Sequence, residues 1–308
     1  KASAGATAGG GAGEDSIRVV KEMAGSSLVR AGVGNDTISI ADKLTSSTVY
    51  GGGGTKTDDG EDSIIVGSTV SAGVIQANSG NDTISLAAKV EGGSKIRGGA
   101  GSDFISSVSD LTSSTVYGDL GKDTIKFTGA VKSSTIQGGN QTDTSTDGID
   151  SIVIGGAANQ VFVQSNAGND SIQMAAITKT TVRAGAGADF ISSTGAILSS
   201  TVRGDGGADS IELGRINTNN FKNSSVQGGT AADSITVTGR WLTSTVRGGA
   251  GSDSLAVTMG SSTALNNAKA KTYGDAGNDS IIVGASFGGA TIYGDNENGA
   301  SGNDTISI

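Results

Sequence analysis

Fourteen aspartates share one local setting, and they are the residues of this chain best suited to chemistry. Each opens the tripeptide Asp-(Ser, Thr or Phe)-(Ile or Leu), and successive copies lie 19 to 27 residues apart. They are Asp15, Asp36, Asp62, Asp82, Asp103, Asp123, Asp150, Asp170, Asp189, Asp209, Asp233, Asp253, Asp279 and Asp304. A carboxylate repeated at one position indicates binding of a hard cation such as Ca²⁺, which takes oxygen ligands.

The turn before each aspartate can supply further oxygen atoms. The segments Gly98–Asp103 and Gly248–Asp253 both read Gly-Gly-Ala-Gly-Ser-Asp, and most other copies vary this pattern. Because glycine adopts positive φ at little cost, successive carbonyl groups of such a turn can converge on one point. We therefore expect a cation site at each turn, formed by backbone carbonyls together with the aspartates of neighbouring copies.

A simpler interpretation is that each aspartate only caps its turn by accepting a hydrogen bond. Asparagine would serve equally well as a cap, yet aspartate occupies all fourteen positions. Stacked carboxylates about 5 Å apart would repel one another by about 3 kcal/mol at an effective dielectric of about 20. We therefore favour the cation site and expect Ca²⁺ binding and folding to be coupled.

The composition excludes several other functions. The 308 residues include no Cys and no His, which removes disulfides, thiol nucleophiles and the common zinc sites. The net charge of −9 argues against nucleic acid as a partner, and no apolar run approaches the ~20 residues of a transmembrane segment. No cluster of unlike catalytic residues interrupts the repeat, so we expect no enzyme activity.

The elements that position these aspartates are short strands. The residue two after each aspartate is Ile, or Leu255 in one copy, and the residue four after it is mostly apolar. This period of two predicts a strand with one buried face, and a second Ser-Thr-(Val or Ile) segment predicts another. Since two short strands bury no core alone, they must stack. We predict one continuous domain, 1–308, an all-β parallel β-solenoid of about 14 coils of about 20 residues, with two strands per coil and almost no helix.

At this point the sequence resembles the RTX family of Gly- and Asp-rich calcium-binding nonapeptide repeats. The pattern Gly-Gly-x-Gly-x-Asp-x-(large apolar)-x is matched throughout by Gly98–Ser106 and by Gly248–Ala256. The resemblance implies a right-handed parallel β-roll, several Ca²⁺ ions between successive turns, and export by type I secretion. It also implies a set of ligand residues. In the first full match these are the carbonyls of Gly98, Ala100 and Gly118 with Asp103 and Asp123, and Gly248 and Ala250 are the counterparts in the second.

The departures from the family pattern refine this expectation. The motif recurs every ~20 residues rather than every nine, so we expect Ca²⁺ along one edge only, with an apolar plug in the opposite turn. Ala231 replaces a glycine before Asp233, which predicts a weaker site there. Insertions at Gly54–Glu61, Asn140–Ile149 and Asn296–Ser301 are either extra cation sites or solvated loops. They add Asp58, Asp59, Asp143, Asp147 and Glu297.

Full occupancy would overload the chain with positive charge. Thirteen Ca²⁺ ions would turn the net charge of −9 into +17. We therefore expect partial occupancy or a partner that supplies anions. Individual affinities in the weak extracellular range, about 10⁻⁴–10⁻³ M, would be consistent with this.

Two further rows are predicted on the outer surface. One follows the buried Val or Ile of the second segment, and it is either a binding surface for an acidic glycan or a neighbouring chain, or a solvated ladder. It consists of Arg30, Tyr50, Arg97, Tyr117, Gln137, Gln164, Arg183, Arg203, Gln227, Arg247, Tyr273 and Tyr293. The other is a threonine row similar to those of ice-binding solenoids. Because the calcium turns carry Val33, Leu120 and Lys122 where ice binders carry Thr and Asn, we expect no ice binding.

The function that these features favour is a calcium-binding structural repeat protein of the bacterial cell surface or extracellular space. It would belong to an S-layer, matrix or filament and would partner itself, other surface proteins or polysaccharide. Since both termini fall within a coil, we expect a fragment of a longer protein or assembly. The alternatives are an adhesin or glycan-binding rod, and an RTX appendage of a secreted enzyme.

Overall fold

The chain folds into stacked β-coils in two compact units. In the computed structural model the described residues are 5–53, 59–139, 147–214, 220–259, 269–284, 290–296 and 302–308. The units are Lys1–Gly156 and Ala157–Ile308. Each is a parallel β-solenoid, and together they supply about 13 turns. The described residues form no helix, and thus none with the length and hydropathy that a membrane crossing needs.

The first sheet contains the Ser-Thr-(Val or Ile) segments and the start of each glycine turn. Its strands in the first unit are Thr7–Ala12, Leu28–Val33, Thr48–Gly52, Val74–Ser79, Lys95–Ala100, Thr115–Leu120 and Thr135–Gly139. In the second unit they are Phe162–Ala167, Thr181–Ala186, Thr201–Gly206, Ser225–Thr230, Thr245–Ala250, Lys271–Ala276 and Thr291–Asp295. Neighbouring strands pair in parallel and in register, so that equivalent residues of successive coils face each other.

The second sheet contains the strands that follow the aspartates. In the first unit they are Ser16–Val19, Thr37–Ile40, Ser63–Val66, Thr83–Leu86, Phe104–Ser107, Thr124–Phe127 and Ser151–Ile154. In the second unit they are Ser171–Met174, Phe190–Ser193, Ser210–Leu213, Ser234–Leu242, Ser254–Met259, Ser280–Gly284 and Thr305–Ser307. Their alternate apolar residues point inward, as the period of two predicted.

A third sheet of very short strands corrects the expectation of two strands per coil. It lies at the turn opposite the aspartates. Its strands are Leu44–Thr45, Val70–Ser71, Val90–Glu91, Leu111–Thr112, Val131–Lys132, Ala158–Asn159, Ile177–Thr178, Ile197–Leu198 and Asn220–Lys222, and the end of Ser234–Leu242 pairs with the last of these. Two residues are too few to produce a periodic pattern in the sequence, although their parallel hydrogen bonds are regular.

The core consists of ladders of identical or similar apolar side chains. Ile96, Val116 and Ile136 stack in one ladder, and each is fully buried. At the opposite turn, each short third-sheet strand buries one residue as the expected apolar plug, namely its first residue from Leu44 to Ile197 and Phe221 in the last strand. Trp241 is 1% exposed there, and its ring lies 4.9 Å from that of Phe221. Stacking therefore lets a thin coil bury a continuous core.

Candidate metal edge

All fourteen aspartates of the repeat stand where a first-sheet strand turns into a second-sheet strand. Twelve of them are 1–3% exposed, whereas Asp15 and Asp304 are half-buried. Within each unit they form a row along one edge, since equivalent positions of successive coils are in register. Such burial is rare for aspartate unless its charge is paired or its oxygens are hydrogen-bonded.

In most of these aspartates, one carboxylate oxygen accepts a hydrogen bond from the preceding coil. The Asp103 amide donates to Asp123 Oδ1 at 2.8 Å, and the Asp189 amide donates to Asp209 Oδ1 at 2.9 Å. The same bond recurs along the row in both units. The aspartate is therefore a cap, as the simpler interpretation required, but only through one of its two oxygens.

The other oxygen, Oδ2, is buried without a hydrogen-bond partner in the described part of the chain. This holds for Asp15, Asp36, Asp62, Asp82, Asp103, Asp123, Asp189, Asp209, Asp233, Asp253 and Asp279. A buried carboxylate oxygen without a partner is costly, because the water it has lost is not replaced. One such atom could be accidental, but the same atom in eleven aspartates indicates a function common to all of them, such as binding a cation or holding a proton.

Most of these Oδ2 atoms face a space beside a glycine at the first position of the turn, and Ala31, Ala77 and Ala184 take that position in the turns of Asp36, Asp82 and Asp189. A Cβ atom added to Gly118 would overlap both Asp123 Oδ2 and the Gly138 carbonyl oxygen of the next coil. Likewise, a Cβ on Gly228 would overlap Asp233 Oδ2 and lie 2.5 Å from the Gly248 carbonyl oxygen. A carboxylate oxygen and a carbonyl oxygen of the next coil therefore face each other across this space, an arrangement that suits a cation or a shared proton.

The ligand set implied by the family resemblance is brought together in part. Gly98 and Gly118 lie directly against the Oδ2 atoms of Asp103 and Asp123, and the Gly248 carbonyl faces Asp233. The Ala100 carbonyl instead accepts a hydrogen bond from the Gly80 amide at 2.8 Å and so takes part in the backbone hydrogen bonding between coils. Ala250, at the same position, is the last residue of its strand.

Ala231 does not alter the arrangement of Asp233. The Asp209 amide donates to Asp233 Oδ1 at 2.8 Å, and Oδ2 is buried against Gly228 as in other coils. Ala231 itself takes the left-handed conformation of the replaced glycine, with φ of 75°. The expected weakness of this site therefore has no counterpart in its geometry, and the cost is backbone strain of about 1–2 kcal/mol.

Two of the inserted aspartates pack at the base of their insertions. Asp59 lies against Gly52 and accepts a hydrogen bond from the Ser79 amide at 3.5 Å, and burial raises its pKa. Asp147 lies against Gly139 in the same way, and the Gly148 amide donates to its Oδ1 at 3.2 Å. Both aspartates are therefore anchored rather than merely solvated. Asp58, Asp143 and Glu297 lie outside the described residues.

Burial makes the charged form of these carboxyl groups unfavourable. Loss of water raises the pKa of Asp103 to about 8 and those of Asp82 and Asp123 to about 7. The neighbouring carboxylates of the row raise them further, whereas the amide bonded to Oδ1 acts in the opposite direction. At neutral pH each such group therefore needs either a proton or a cation beside it.

Any cation here must draw on the backbone for most of its ligands. Among the described residues, no three carboxylates gather in a group that could hold a metal ion. The available donors are aspartate oxygens and glycine carbonyls, all of them hard oxygen atoms. Ca²⁺ accepts carboxylate and carbonyl oxygens in flexible geometry, whereas Mg²⁺ demands near-ideal octahedra and retains water. The donor set therefore fits Ca²⁺.

A second set of aspartates was not anticipated from the sequence. Asp119, Asp205 and Asp275 follow the first glycine of their turns and pair with an arginine of the preceding coil. Arg183 Nε donates to Asp205 Oδ2 at 2.8 Å, and Arg97 forms two bonds to Asp119. The signal in the sequence is the dipeptide Gly-Asp where other turns have Gly-Gly. The aspartate lies two residues beyond the residue that is in register with an arginine of the preceding coil.

The predicted outward ladder is present on the first sheet. Arg30 lies over the Tyr50 ring at 5.0 Å, Arg247 lies over Tyr273 at 4.1 Å, and the Tyr273 and Tyr293 rings stack at 5.1 Å. Because coils are in register, these side chains contact their equivalents in the next coil. The ladder thus covers the outer face of the sheet with cation–π and stacking contacts.

Comparison with known proteins identifies a similar fold. No protein-family model matches the sequence, and no curated protein matches it either. A solved structure that is similar is the crystal structure of a hyperactive, Ca²⁺-dependent, β-helical antifreeze protein from an Antarctic bacterium. The match has a TM-score of 0.68 and 21% sequence identity, and it covers 95% of this chain and 83% of the other. At this identity the likeness establishes the parallel β-solenoid fold.

Proposed function

We propose that this chain binds Ca²⁺ along its aspartate edge and that the ions hold its coils in the folded state. The observation that carries the proposal is the set of eleven buried Oδ2 atoms without partners in the described residues, eight of them beside a glycine whose missing side chain leaves a space. The Ca²⁺ dependence of the structurally similar antifreeze protein supports the same assignment.

The groups that would hold the ions are the carboxylates of the fourteen aspartates and the backbone carbonyls at the first position of their turns. Asp123 and the Gly138 carbonyl, or Asp233 and the Gly248 carbonyl, would act together from adjacent coils. Bound Ca²⁺ would supply positive charge to carboxylates that have lost their water. Because such an ion binds the folded chain and not the unfolded one, it stabilises the fold by mass action. The gain is about 1.4 kcal/mol per site at about ten times Kd.

Circular dichroism with chelator tests this proposal. We expect the far-ultraviolet β-signal to be lost when Ca²⁺ is removed at a pH above about 8, where the aspartates are charged, and to return on titration with CaCl₂. MgCl₂ is the matched control and should restore little signal, because these carbonyls cannot easily form a small octahedral site. A β-signal that is unchanged by exhaustive chelation would contradict the proposal.

A structural role outside the cell is the best match to the remaining features. We propose a surface or matrix component, since the repeat is the whole of the sequence given and millimolar Ca²⁺ is an extracellular condition. RTX-like export by type I secretion belongs to the same proposal. Calcium-dependent growth of large particles in light scattering would support assembly, whereas monodisperse monomers at all calcium concentrations would contradict it.

Antifreeze activity is not extended from the similar structure to this chain. The outward threonine row would be the surface for ice, but large or charged side chains interrupt it. Lys95 stands in register with Thr115, Phe162 with Thr181, and Lys271 with both Thr245 and Thr291. We propose that the shared feature is a calcium-stabilised fold. A thermal hysteresis measurement should therefore give no activity, and a measurable freezing-point gap would contradict this.

A further inference from the structure

Two arginines of the outward ladder differ from the other three. Arg97, Arg183 and Arg247 each form an ion pair with an aspartate two residues beyond their partner in the next coil. At the position of that aspartate, the coil that follows Arg30 has Gly52, and the coil that follows Arg203 has Gly229. Within the described residues, neither of these guanidinium groups forms an ion pair. They are therefore available to an anion from outside the chain.

Arg30 lies in a groove of substantial size, and Arg203 is not among the residues that line it. An open groove of about 540 Å³ in the first unit is lined by Arg30, Tyr50, Leu28, Val74 and the hydroxyl-bearing residues of two turns, with no carboxylate. Ligand sites in proteins commonly measure about 300–1,000 Å³. The Tyr50 ring at 5.0 Å from the Arg30 guanidinium carbon holds that group in place over the groove.

Hydroxyl groups on the wall of the groove are also available. Ser26 and Ser46 are exposed at the turn, and in the described part of the chain their side chains, like that of Thr48, form no hydrogen bond. By contrast, the neighbouring Ser27 and Ser47 are buried and donate to backbone carbonyls. The groove therefore combines one cation, several free hydroxyls and the apolar side chains of Leu28, Ala72 and Val74.

We propose that this groove binds an acidic sugar, with the carboxylate of a uronate residue on Arg30. The planar guanidinium forms paired hydrogen bonds to a carboxylate. The hydroxyls of Ser26, Ser46 and Thr48 match the hydroxyl edge of a sugar, and Leu28 and Val74 match its apolar face. The proposal is independent of the metal assignment, because every lining residue lies away from the aspartate edge.

Calorimetric titration of the full chain in CaCl₂ with trigalacturonate tests the proposal. We expect measurable binding to the natural chain and at least a tenfold loss of affinity in R30A. The loss should be smaller in R30K, because lysine keeps the positive charge but cannot form the paired hydrogen bonds of the guanidinium group. R203A is the matched control, since it removes an equally unpaired arginine outside the groove, and it should bind like the natural chain. Unchanged circular dichroism would establish that each variant is folded.

Three results would overturn the proposal. The first is absence of binding to the natural chain, and the second is an equal loss in R30A and R203A, which would indicate general charge attraction. The third comes from two further ligands. A neutral trisaccharide should not bind, and a sulfated galactose should bind more weakly than trigalacturonate. Equal or tighter binding of either would contradict recognition of a carboxylate.

Discussion

The two oxygens of each repeat aspartate have different environments, and this difference governs the behaviour of the edge. Asp123 Oδ1 accepts the Asp103 amide at 2.8 Å, which an asparagine side chain could do equally well. Asp123 Oδ2 is buried against Gly118 without a partner in the described residues, and there a negative charge is useful only beside a cation. The preference for aspartate therefore resides in the second oxygen.

Replacing one of these carboxylates should have opposite effects with and without Ca²⁺. In D123N the amide keeps the bond from Asp103 but loses the charge. In saturating CaCl₂ we expect a loss of about 1–3 kcal/mol in the free energy of unfolding and fewer bound ions. In chelator at high pH, any residual structure should be at least as stable as that of the natural chain. Urea titrations in both buffers would measure the two effects.

An exposed aspartate gives the control for this substitution. Asp42 also accepts a backbone amide, at 2.8 Å from Lys43, but it is exposed. D42N removes the same charge, and we expect less than about 0.5 kcal/mol change in either buffer. A D123N variant that behaves like D42N in CaCl₂ would show that the buried carboxylate binds no ion.

Gly118, which faces Asp123, should tolerate a side chain poorly, although Ala31, Ala77 and Ala184 occupy the same position in other coils. In G118A the added Cβ would overlap Asp123 Oδ2 and the Gly138 carbonyl oxygen. We expect weaker binding of the local ion and a loss of about 1–3 kcal/mol in stability, because the Cβ must displace one of these two oxygens. G9A is the control, since a Cβ there meets only the Arg30 carbonyl, at 3.7 Å. Equal melting temperatures for the two variants would refute this packing.

At the scale of elements, the turn opposite the aspartates is held without metal by a serine ladder. Ser200 Oγ donates to the Leu198 carbonyl at 2.8 Å and accepts the Thr180 amide of the preceding coil at 3.1 Å. The same arrangement recurs at Ser134 and Ser224. Each coil is therefore fastened by carboxylates at one edge and by hydroxyls at the other.

Removing one rung of this ladder should destabilise the fold in the presence of Ca²⁺. S200A leaves the buried Thr180 amide without its acceptor, so we expect a loss of about 1–3 kcal/mol in urea unfolding. S192A removes a hydroxyl from the outer face of the second sheet and should change stability by less than about 0.5 kcal/mol. Equal effects of the two substitutions would mean that the ladder contributes nothing.

The sequence predicted the longer strands but not the short ones. Alternation of apolar residues marks Thr124–Phe127 as a strand, because Ile125 and Phe127 must share the buried face. Val131–Lys132 has only two residues and so carries no period. The serine ladder could not be predicted either, because serine is common in any turn and its role depends on which backbone amide of the neighbouring coil lies within hydrogen-bond distance.

At the scale of the whole molecule, the row of buried carboxyls couples stability to pH. Burial raises the pKa of Asp62, Asp82, Asp123, Asp189 and Asp233 from 3.8 to about 7. The folded chain therefore holds more protons than the unfolded chain between these values. Without metal, stability must fall as pH rises through this window.

The expected result is two melting curves that meet at low pH and separate as the pH rises. In chelator the melting temperature should be highest at about pH 4 and fall until about pH 7, the window set by these pKa values. In CaCl₂ it should change little, because Ca²⁺ takes over as protons leave, so that the benefit of calcium grows with pH. Stability that rises with pH in chelator would contradict the burial of these groups.

The positions of the site residues followed from the sequence, whereas the detail of the site did not. Aspartate at a fixed place in every coil was enough to predict one edge lined with carboxylates. The different environments of Oδ1 and Oδ2 could not be predicted from the sequence, because they depend on the hydrogen bond that the Asp103 amide donates to Asp123 Oδ1 once the coils are stacked. The pairs of Arg183 with Asp205 and Arg247 with Asp275 also depend on register between coils.

The most direct test of the calcium edge is anomalous X-ray diffraction from crystals grown in CaCl₂, at a wavelength where Ca²⁺ scatters anomalously. The account predicts a row of peaks in each unit beside the aspartate Oδ2 atoms and the glycine carbonyls of the next coil, and none along the serine edge. Crystals with no peaks at the aspartates, and with Oδ2 within hydrogen-bond distance of the facing carbonyl as a protonated acid, would contradict it.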